Sequence, residues 1–306
     1  MLTHSQYGGF VKQISAIVPI SKMHGRFSNL KNWLNQIDFN VMEIILVHDI
    51  QDNKTSSELQ GILLGHKLEI QNKDLIIVEK FFGSPGLARN CGLDLATGNW
   101  IVFWDSDDLP NIPEYLKFSI EYPRDIDLVI GQYVVEEVGD SSKTIPRFEQ
   151  NTLQEVAFNP GIWRMIFLRK SIYKNLRFER FLMGEDQLFL LNYLKPQPKF
   201  QIKRAIFYTY FVGSNMQLTS NKDAILDLKD AIFASRSTIK ELQGSFQQFA
   251  IICTFRQIVT LIAKGTFATQ VWAIKEMMLL ILKYGRNQDT IILCFKYYFK
   301  RLGITS

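Results

Sequence analysis

Apolar runs of strand length alternate with amphipathic stretches along the first two thirds of the chain. Five such runs occur, at residues 14–20, 43–49, 75–78, 100–104 and 126–135, and they are rich in β-branched, aliphatic and aromatic residues. Strands that are apolar on both faces and separated by helices are typical of a mostly parallel sheet covered by helices. The sequence therefore predicts an α/β fold.

Helices are predicted between the strands and throughout the last part of the chain. Apolar residues recur at spacings of three and four in residues 27–37, which marks one helix face, and further helices are predicted at 56–64 and 85–96. From about residue 220 only helical patterns remain, at 224–242, 246–263, 271–284 and 290–302. We therefore expect an α/β domain over residues 1–215 and a helical C-terminal region, the tail, over residues 216–306.

The composition excludes several classes of protein. Of the 306 residues, 47% are hydrophobic and 21% are charged, which supplies a core and is unlike a disordered chain. Three scattered cysteines cannot form a disulfide framework, so a reducing, cytoplasmic environment is expected. The N-terminal residues lack the pattern of a signal peptide, and charges such as Arg256 interrupt the longest apolar stretches. We expect no transmembrane segment.

The formal net charge of +5 resides in the tail. Residues 220–306 contain twelve Lys and Arg against six Asp and Glu, whereas the rest of the chain contains 23 basic and 24 acidic residues. The α/β part has no nucleic-acid-binding motif, so no nucleic acid partner is expected. Basic and aromatic residues interleave on the last helices, which suits peripheral contact with an anionic inner-membrane surface. Packing on the domain or pairing in a homodimer explains the same pattern equally well.

Three carboxylates follow the fourth predicted strand directly, at Asp105, Asp107 and Asp108, with Ser106 between the first two. Ligands of α/β proteins bind beyond the carboxyl ends of the strands, and Asp105 and Asp107 point to the same side of an extended chain. Oxygen ligands suit a hard divalent cation, Mg²⁺ or Mn²⁺. The alternative is a solvated turn that caps the next helix, which is the role we expect for Asp108.

Two further segments carry charge where a helix begins. The glycine- and proline-rich turn at 83–92 contains Arg89 and can receive a phosphate, although such turns also open helices for structural reasons alone. Gly184, Glu185 and Asp186 open another helix, where the carboxylates either complement the helix dipole or provide a general base. Walker and G-x-G-x-x-G motifs do not occur, so neither a P-loop nucleotidase nor a dinucleotide-dependent oxidoreductase is supported.

In their order along residues 13–210, five segments resemble the motifs of family 2 glycosyltransferases of the GT-A fold, a Rossmann-like, mostly parallel sheet flanked by helices. The segments are Ile17-Val18-Pro19-Ile20, residues 43–49, residues 83–90, residues 103–108 and Gly184-Glu185-Asp186. The glycine-rich segment followed at short range by the acidic segment is the most specific of these features. The tail lies outside the resemblance.

The resemblance implies roles on the donor side. Pro19 and Ile20 would line the nucleotide pocket, Asp49 would recognise the nucleotide base, and Arg89 would lie near the nucleotide or its diphosphate. The chain departs from the family pattern at residues 48–51, where His-Asp-Ile-Gln replaces Asp-Asp-Gly-Ser. This departure concerns the residues that recognise the base.

The resemblance also implies the catalytic and metal-binding residues. Asp105, Ser106 and Asp107 match the D-x-D motif, in which Asp107 would contact the metal and Asp105 the ribose or the metal shell, with Ser106 beside the nucleotide sugar. Asp186, with Glu185 next to it, matches the base that activates the acceptor.

The implied activity is an inverting, metal-dependent transfer of a sugar from a nucleoside-diphosphate sugar, expected to be a UDP-sugar, to a hydroxyl of a glycan or lipid-linked acceptor. Bacterial members of the family often build surface polysaccharides. Trp163 lies in a segment that resembles the acceptor side, where it would stack on a sugar or belong to the core. The alternative function is a noncatalytic GT-A-like module that binds a glycan or a partner.

Overall fold

The structure is a computed structural model that describes residues 13–65, 74–121, 125–137, 140–145, 149–213, 222–285 and 288–301. Within these ranges the chain forms one nine-stranded sheet and ten α-helices. The predicted division at residues 215 and 216 lies outside the described residues.

Four parallel strands form one half of the sheet, in the spatial order β3-β2-β1-β4. They are β1 (Ile14–Ile20), β2 (Met42–Asp49), β3 (Leu75–Lys80) and β4 (Trp100–Phe103), and the helices between them are α1 (Ser28–Leu34), α2 (Asn53–Gly65) and α3 (Pro85–Leu95). Every residue of β2 and β4 is buried, because apolar cores lie on both faces of the sheet. The predicted α/β class is confirmed, and these strands and helices begin and end within three residues of their predicted limits.

The other half of the sheet is mixed. Its strands are β5 (Leu109–Pro110), β6 (Leu128–Glu137), β7 (Asp140–Ile145), β8 (Met165–Leu168) and β9 (Phe200–Val212), and its helices are α4 (Ile112–Glu121), α5 (Leu153–Val156) and α6 (Glu185–Tyr193). β8 runs antiparallel between β4 and β6, β9 is parallel to β6, and β5 and β7 pair antiparallel with β9 and β6. The sequence predicted β6 but not β9, because only Phe207 and Tyr208 of its 13 residues are buried and its apolar pattern is weak.

The tail consists of α7 (Lys222–Glu241), α8 (Gly244–Lys264), α9 (Phe267–Tyr284) and α10 (Gln288–Arg301). Phe249 and Ile252 of α8 share an apolar core with Ile130 of β6 and Phe167 of β8, so the tail packs on the α3 face of the sheet. Among the described helices, α8 alone is long and apolar enough to span a membrane, with a mean hydropathy of 1.3. Since 67% of that window is buried inside the protein, α8 has the character of a core helix.

Candidate active site

The guanidinium of Arg89 joins the acidic turn after β4 to the start of α6. Its Nη2 lies 2.8 Å from Oδ1 of Asp105, and its Nη1 lies 2.8 Å from Oε1 of Glu185. Burial of Arg89 opposes its charge, but the Asp105 and Glu185 carboxylates outweigh burial and raise the pKa of Arg89. Arg89 therefore stays charged and neutralises two carboxylates from distant parts of the chain.

Close packing of α3 on β1 places Arg89 in this position. The helix begins after Ser84, whose hydroxyl accepts a hydrogen bond from a backbone N–H of the first turn at 3.3 Å. A Cβ on Gly92 would lie 2.3 Å from Cγ2 of Ile17, so a larger residue would push the helix away from the strand. Gly92 thus has a packing role, because it lets α3 approach β1 closely and so brings Arg89 to the edge of the sheet.

The segment that leads into α6 is anchored from the tail. Gly184 has a left-handed φ of +90°, and a Cβ there would lie 2.8 Å from Cβ of Ala231 on α7 and 3.0 Å from Nε2 of Gln257 on α8. The backbone N–H of Leu182 donates to Oδ2 of Asp227 on α7 at 2.7 Å. The sequence patterns did not predict this contact, since the tail lies outside the family resemblance.

Glu185 and Asp186 are adjacent but differ in environment. Glu185 is buried, and this burial, together with the charge of Asp186, raises the pKa of Glu185 to about 7 despite the opposing charge of Arg89. Asp186 is half-buried, and its Oδ1 accepts a hydrogen bond from the backbone N–H of Gln187 at 2.7 Å. Of the two carboxylates, Asp186 is therefore the more exposed to solvent.

Asp107 is held by the first turn of α1 and by the loop before it. Its carboxylate forms an ion pair with Arg26, and its backbone carbonyl accepts a hydrogen bond from Nδ2 of Asn29 at 2.6 Å. The Asp107 side chain is 36% exposed. Ser106, between Asp105 and Asp107, is buried. Each of these two carboxylates is thus paired with an arginine, Asp105 with Arg89 and Asp107 with Arg26.

Strand β9 supports the acidic turn from the other side. The backbone N–H of Asp105 donates to the hydroxyl of Tyr208 at 2.9 Å, and Oδ1 of Asp108 accepts from the backbone N–H of Phe211 at 2.9 Å. The helix-capping role predicted for Asp108 is therefore wrong, because its side chain bonds to a strand that is distant in sequence. Burial, followed by the charges of Asp105 and Asp107, raises the pKa of Asp108 well above its ordinary value.

The donor-side residues predicted at the ends of β1 and β2 lie at the same edge of the sheet. Asp49 accepts hydrogen bonds from the backbone N–H groups of Phe82 at 2.8 Å and Gly83 at 3.1 Å, so it organises the loop that leads to α3. Pro19 is half-buried, whereas Ile20 is fully buried. Of this pair, Pro19 is therefore the residue with surface to offer a nucleotide.

Trp163 lies in an aromatic cluster that packs against β9. It is 7% exposed and stacks on Tyr208, with ring centroids 4.7 Å apart, and on Tyr210, with centroids 5.4 Å apart. Tyr133 meets it edge-on at 5.0 Å. This is the environment of a core tryptophan, the second of the two roles predicted for Trp163.

Of the predicted site residues, Arg89 thus contacts both Asp105 and Glu185 directly. Asp107 and Asp186 lie within two residues of these carboxylates along the chain. Arg26 was missed by sequence reasoning, although its position just after a parallel strand was a usable signal. Tyr208 had no such signal, because β9 itself was not predicted.

The sheet order, with the acidic turn beyond the end of β4, is that of a GT-A fold. A crystal structure of residues 1–349 of S. aureus TarS in complex with UDP-GlcNAc matches this chain with a TM-score of 0.65 at 17% identity, over 95% of this chain and 92% of that one. The family described as glycosyl transferase family 2 matches residues 28–181, and the chain belongs to that family. The predicted family is confirmed.

Two curated relatives are similar over a comparable part of the chain. The poly(ribitol-phosphate) beta-N-acetylglucosaminyltransferase TarP of Staphylococcus aureus (strain N315) is 27% identical in an alignment 229 positions long, which covers 69% of this chain and 65% of TarP. The minor teichoic acid biosynthesis protein GgaB of Bacillus subtilis (strain 168) is 27% identical in an alignment 225 positions long, which covers 69% of this chain and 24% of GgaB. The matches span less than two thirds of either relative.

Proposed function

We propose that the protein transfers a sugar from a UDP-sugar to a hydroxyl group of a phosphate-containing surface polymer of the teichoic acid type, with inversion at the anomeric carbon. The observation that carries this proposal is the pair of contacts made by Arg89, which joins the D-x-D turn to the segment bearing Glu185 and Asp186. Donor-binding and acceptor-activating groups then belong to one cluster. The functions printed for TarP and GgaB support the class of acceptor.

In this mechanism the acceptor oxygen bonds to the anomeric carbon while the bond from that carbon to the diphosphate oxygen breaks. Asp186 takes the proton of the acceptor hydroxyl, because it is the more exposed carboxylate at the start of α6. Glu185 is buried against Arg89 and has a positioning role, since it holds α6 close to the D-x-D turn. A single displacement without a protein nucleophile inverts the anomeric centre.

A divalent cation, Mg²⁺ or Mn²⁺, fits the residues present. Within the described ranges, no group of three or more His, Cys, Asp or Glu side chains is arranged to hold a metal ion. Mg²⁺ commonly uses one or two carboxylates together with substrate phosphates and water, and the partly exposed Asp107 offers such a carboxylate. A cation bound there would act as a Lewis acid toward the departing diphosphate. Asp107 would hold it in place of the ion pair with Arg26, and Arg26 would then be free to bind a phosphate oxygen.

The choice of UDP as nucleotide rests on the TarS complex with UDP-GlcNAc and on the position of Asp49. Asp49 is buried at the end of β2 and bonds to the loop before α3 through both oxygens. To recognise a base, one of these oxygens must exchange a backbone N–H for the base. We place the reaction at the cytoplasmic side, where nucleotide sugars are available.

The test is a transfer assay with a panel of UDP-, GDP- and CDP-sugars as donors and with poly(ribitol phosphate) and poly(glycerol phosphate) as acceptors. The two quantities measured are the nucleoside diphosphate released and the mass of the polymer product. We expect one UDP-sugar to give a glycosylated polymer with inverted configuration. Binding of a glycan polymer without release of any nucleoside diphosphate would instead identify a noncatalytic module.

A further inference from the structure

Helix α9 carries an apolar face that is exposed within the described part of the chain. The residues of this face recur at spacings of three and four, so they form one continuous stripe. The stripe consists of Phe267, Val271, Ile274, Met278 and Leu282. Phe267 is 82% exposed and Leu282 is 81% exposed, at the two ends of the helix. A contiguous apolar patch of this kind marks a site of interaction with another surface.

The charges on α9 are all positive on its exposed side. Lys275 is exposed beside the stripe, and Lys283 is exposed at the edge of this side, with its Nζ 5.4 Å from the ring centroid of Tyr284. The one acidic residue of α9, Glu276, is buried and forms an ion pair with Arg236 of α7 at 2.7 Å. The exposed side therefore combines apolar residues with uncompensated positive charge, which is the pattern of a helix that lies in the interface of an anionic bilayer.

A second copy of the chain suits this face less well. Two-fold pairing of the stripe with itself would bring the same positions of both helices together near the middle of α9. Lys275 lies there, so the two copies would place like charges opposite each other without an acidic residue of α9 to compensate them. An anionic lipid surface offers the opposite charge.

We propose that α9 docks the protein on an anionic lipid surface, with the stripe in the acyl boundary and the lysines among the headgroups. α9 packs on α8, and Gln257 of α8 lies close to Gly184 at the start of α6. Helix α8 therefore connects the docking helix with the segment that carries Asp186. This connection would suit a lipid-linked acceptor, a point that rests on the proposed function, whereas the docking itself does not.

The experiment is flotation of the full-length protein with vesicles of phosphatidylcholine alone or of phosphatidylcholine mixed with the anionic lipid phosphatidylglycerol. The variants are Leu282→Asp, the double variant Lys275→Gln with Lys283→Gln, and the control Ile120→Asp. Ile120 on α4 is 83% exposed, so the control adds the same charge at an equally exposed apolar site away from the tail. Thermal unfolding of each variant checks that the fold is retained.

We expect the wild-type protein and Ile120→Asp to float with the anionic vesicles and not with the neutral ones. Leu282→Asp should reduce the partition coefficient about 10-fold or more, because a leucine side chain no longer enters the acyl boundary. The double lysine variant should reduce it about 25-fold, which is about five-fold for each charge removed. Wild-type protein that stays unbound to anionic vesicles at low salt would overturn the proposal. The proposal would also be overturned if Ile120→Asp reduced vesicle binding as much as Leu282→Asp does. The same holds if sedimentation showed that the wild-type protein is a dimer and that Leu282→Asp is a monomer. None of these readouts requires transferase activity, so failure of the proposed reaction would be recognised separately.

Discussion

The carboxylate of Asp227 on α7 accepts a hydrogen bond from the backbone N–H of Leu182 at 2.7 Å. Leu182 lies two residues before Gly184, so a helix of the tail holds the backbone that presents Asp186. Hydrogen bonds to charged acceptors are stronger than those between neutral groups. The tail is therefore part of the proposed active site, although the family motifs all lie in the α/β part.

Replacement Asp227→Ala should lower kcat about 10- to 100-fold while donor affinity changes little, because a small displacement of a catalytic group is enough to slow the reaction. Asp227→Asn retains an acceptor oxygen and should recover most of the activity. Asp230→Ala removes the same charge at an exposed position of α7 and serves as the control. Steady-state transfer kinetics and calorimetric donor binding measure these effects; equal kcat values for Asp227→Ala and Asp230→Ala would refute the positioning role.

Replacement Gly184→Ala should destabilise the protein more than Gly25→Ala. Both glycines have positive φ, +90° and +74°, which costs an alanine about 1–2 kcal/mol. A Cβ at Gly25 meets no atom within 4 Å, whereas a Cβ at Gly184 would lie 2.8 Å from Ala231. The packing conflict should add about 1–3 kcal/mol at Gly184. Urea unfolding of the two variants measures the difference in the free energy of unfolding. Equal losses would mean that α7 moves away from position 184 without a cost in stability.

The buried Glu185 should make stability depend on pH. Its pKa rises from the ordinary 4.5 to about 7 in the folded protein, so between these values the folded state binds a proton that the unfolded state has released. The stabilisation from Glu185 is thus complete below about pH 4.5 and is lost as the pH rises through about 7. In Glu185→Gln this part of the decline should be absent. Chemical unfolding at several pH values compares the two proteins, and parallel curves would count against the raised pKa.

Replacement Asp186→Asn should reduce transfer about 10²- to 10⁴-fold, the usual contribution of a general base. The donor should still bind as in the wild-type protein, because Asp186 acts on the acceptor. Calorimetry with UDP and the transfer assay separate these two effects. Equal loss of donor binding and of transfer would place Asp186 on the donor side.

Replacement Asp107→Asn should abolish the dependence of donor binding on Mn²⁺ or Mg²⁺, because the amide is a poor ligand for a hard cation. In the wild-type protein, removal of the cation with a chelator should weaken UDP binding. Asp94→Asn is a matched control, since Asp94 is an exposed carboxylate that pairs with Arg177 on the surface. A metal dependence that persists in Asp107→Asn would exclude Asp107 as the ligand.

The parts of the fold that the sequence predicted well are the strands whose burial leaves a continuous apolar run in the chain. The runs that became β1, β2 and β4 are buried on both faces, so their apolar character was visible without knowledge of their partners. β9 pairs with β6 and β5, which lie far away in sequence, and most of its residues are only partly buried. For the same reason the bond from Asp108 to Phe211 was missed and a local cap was predicted instead.

By itself the sequence determined the chemistry available to this protein: carboxylates at Asp105, Asp107, Glu185 and Asp186 and a guanidinium at Arg89, placed where strands end or helices begin. Only the tertiary structure decided which of these groups meet. Arg89 pairs with both Asp105 and Glu185, Arg26 pairs with Asp107, and α7 supports the approach to Asp186. The reason is physical: residue type and spacing specify local conformation, whereas buried charges find their partners through the packing of elements that are remote in sequence.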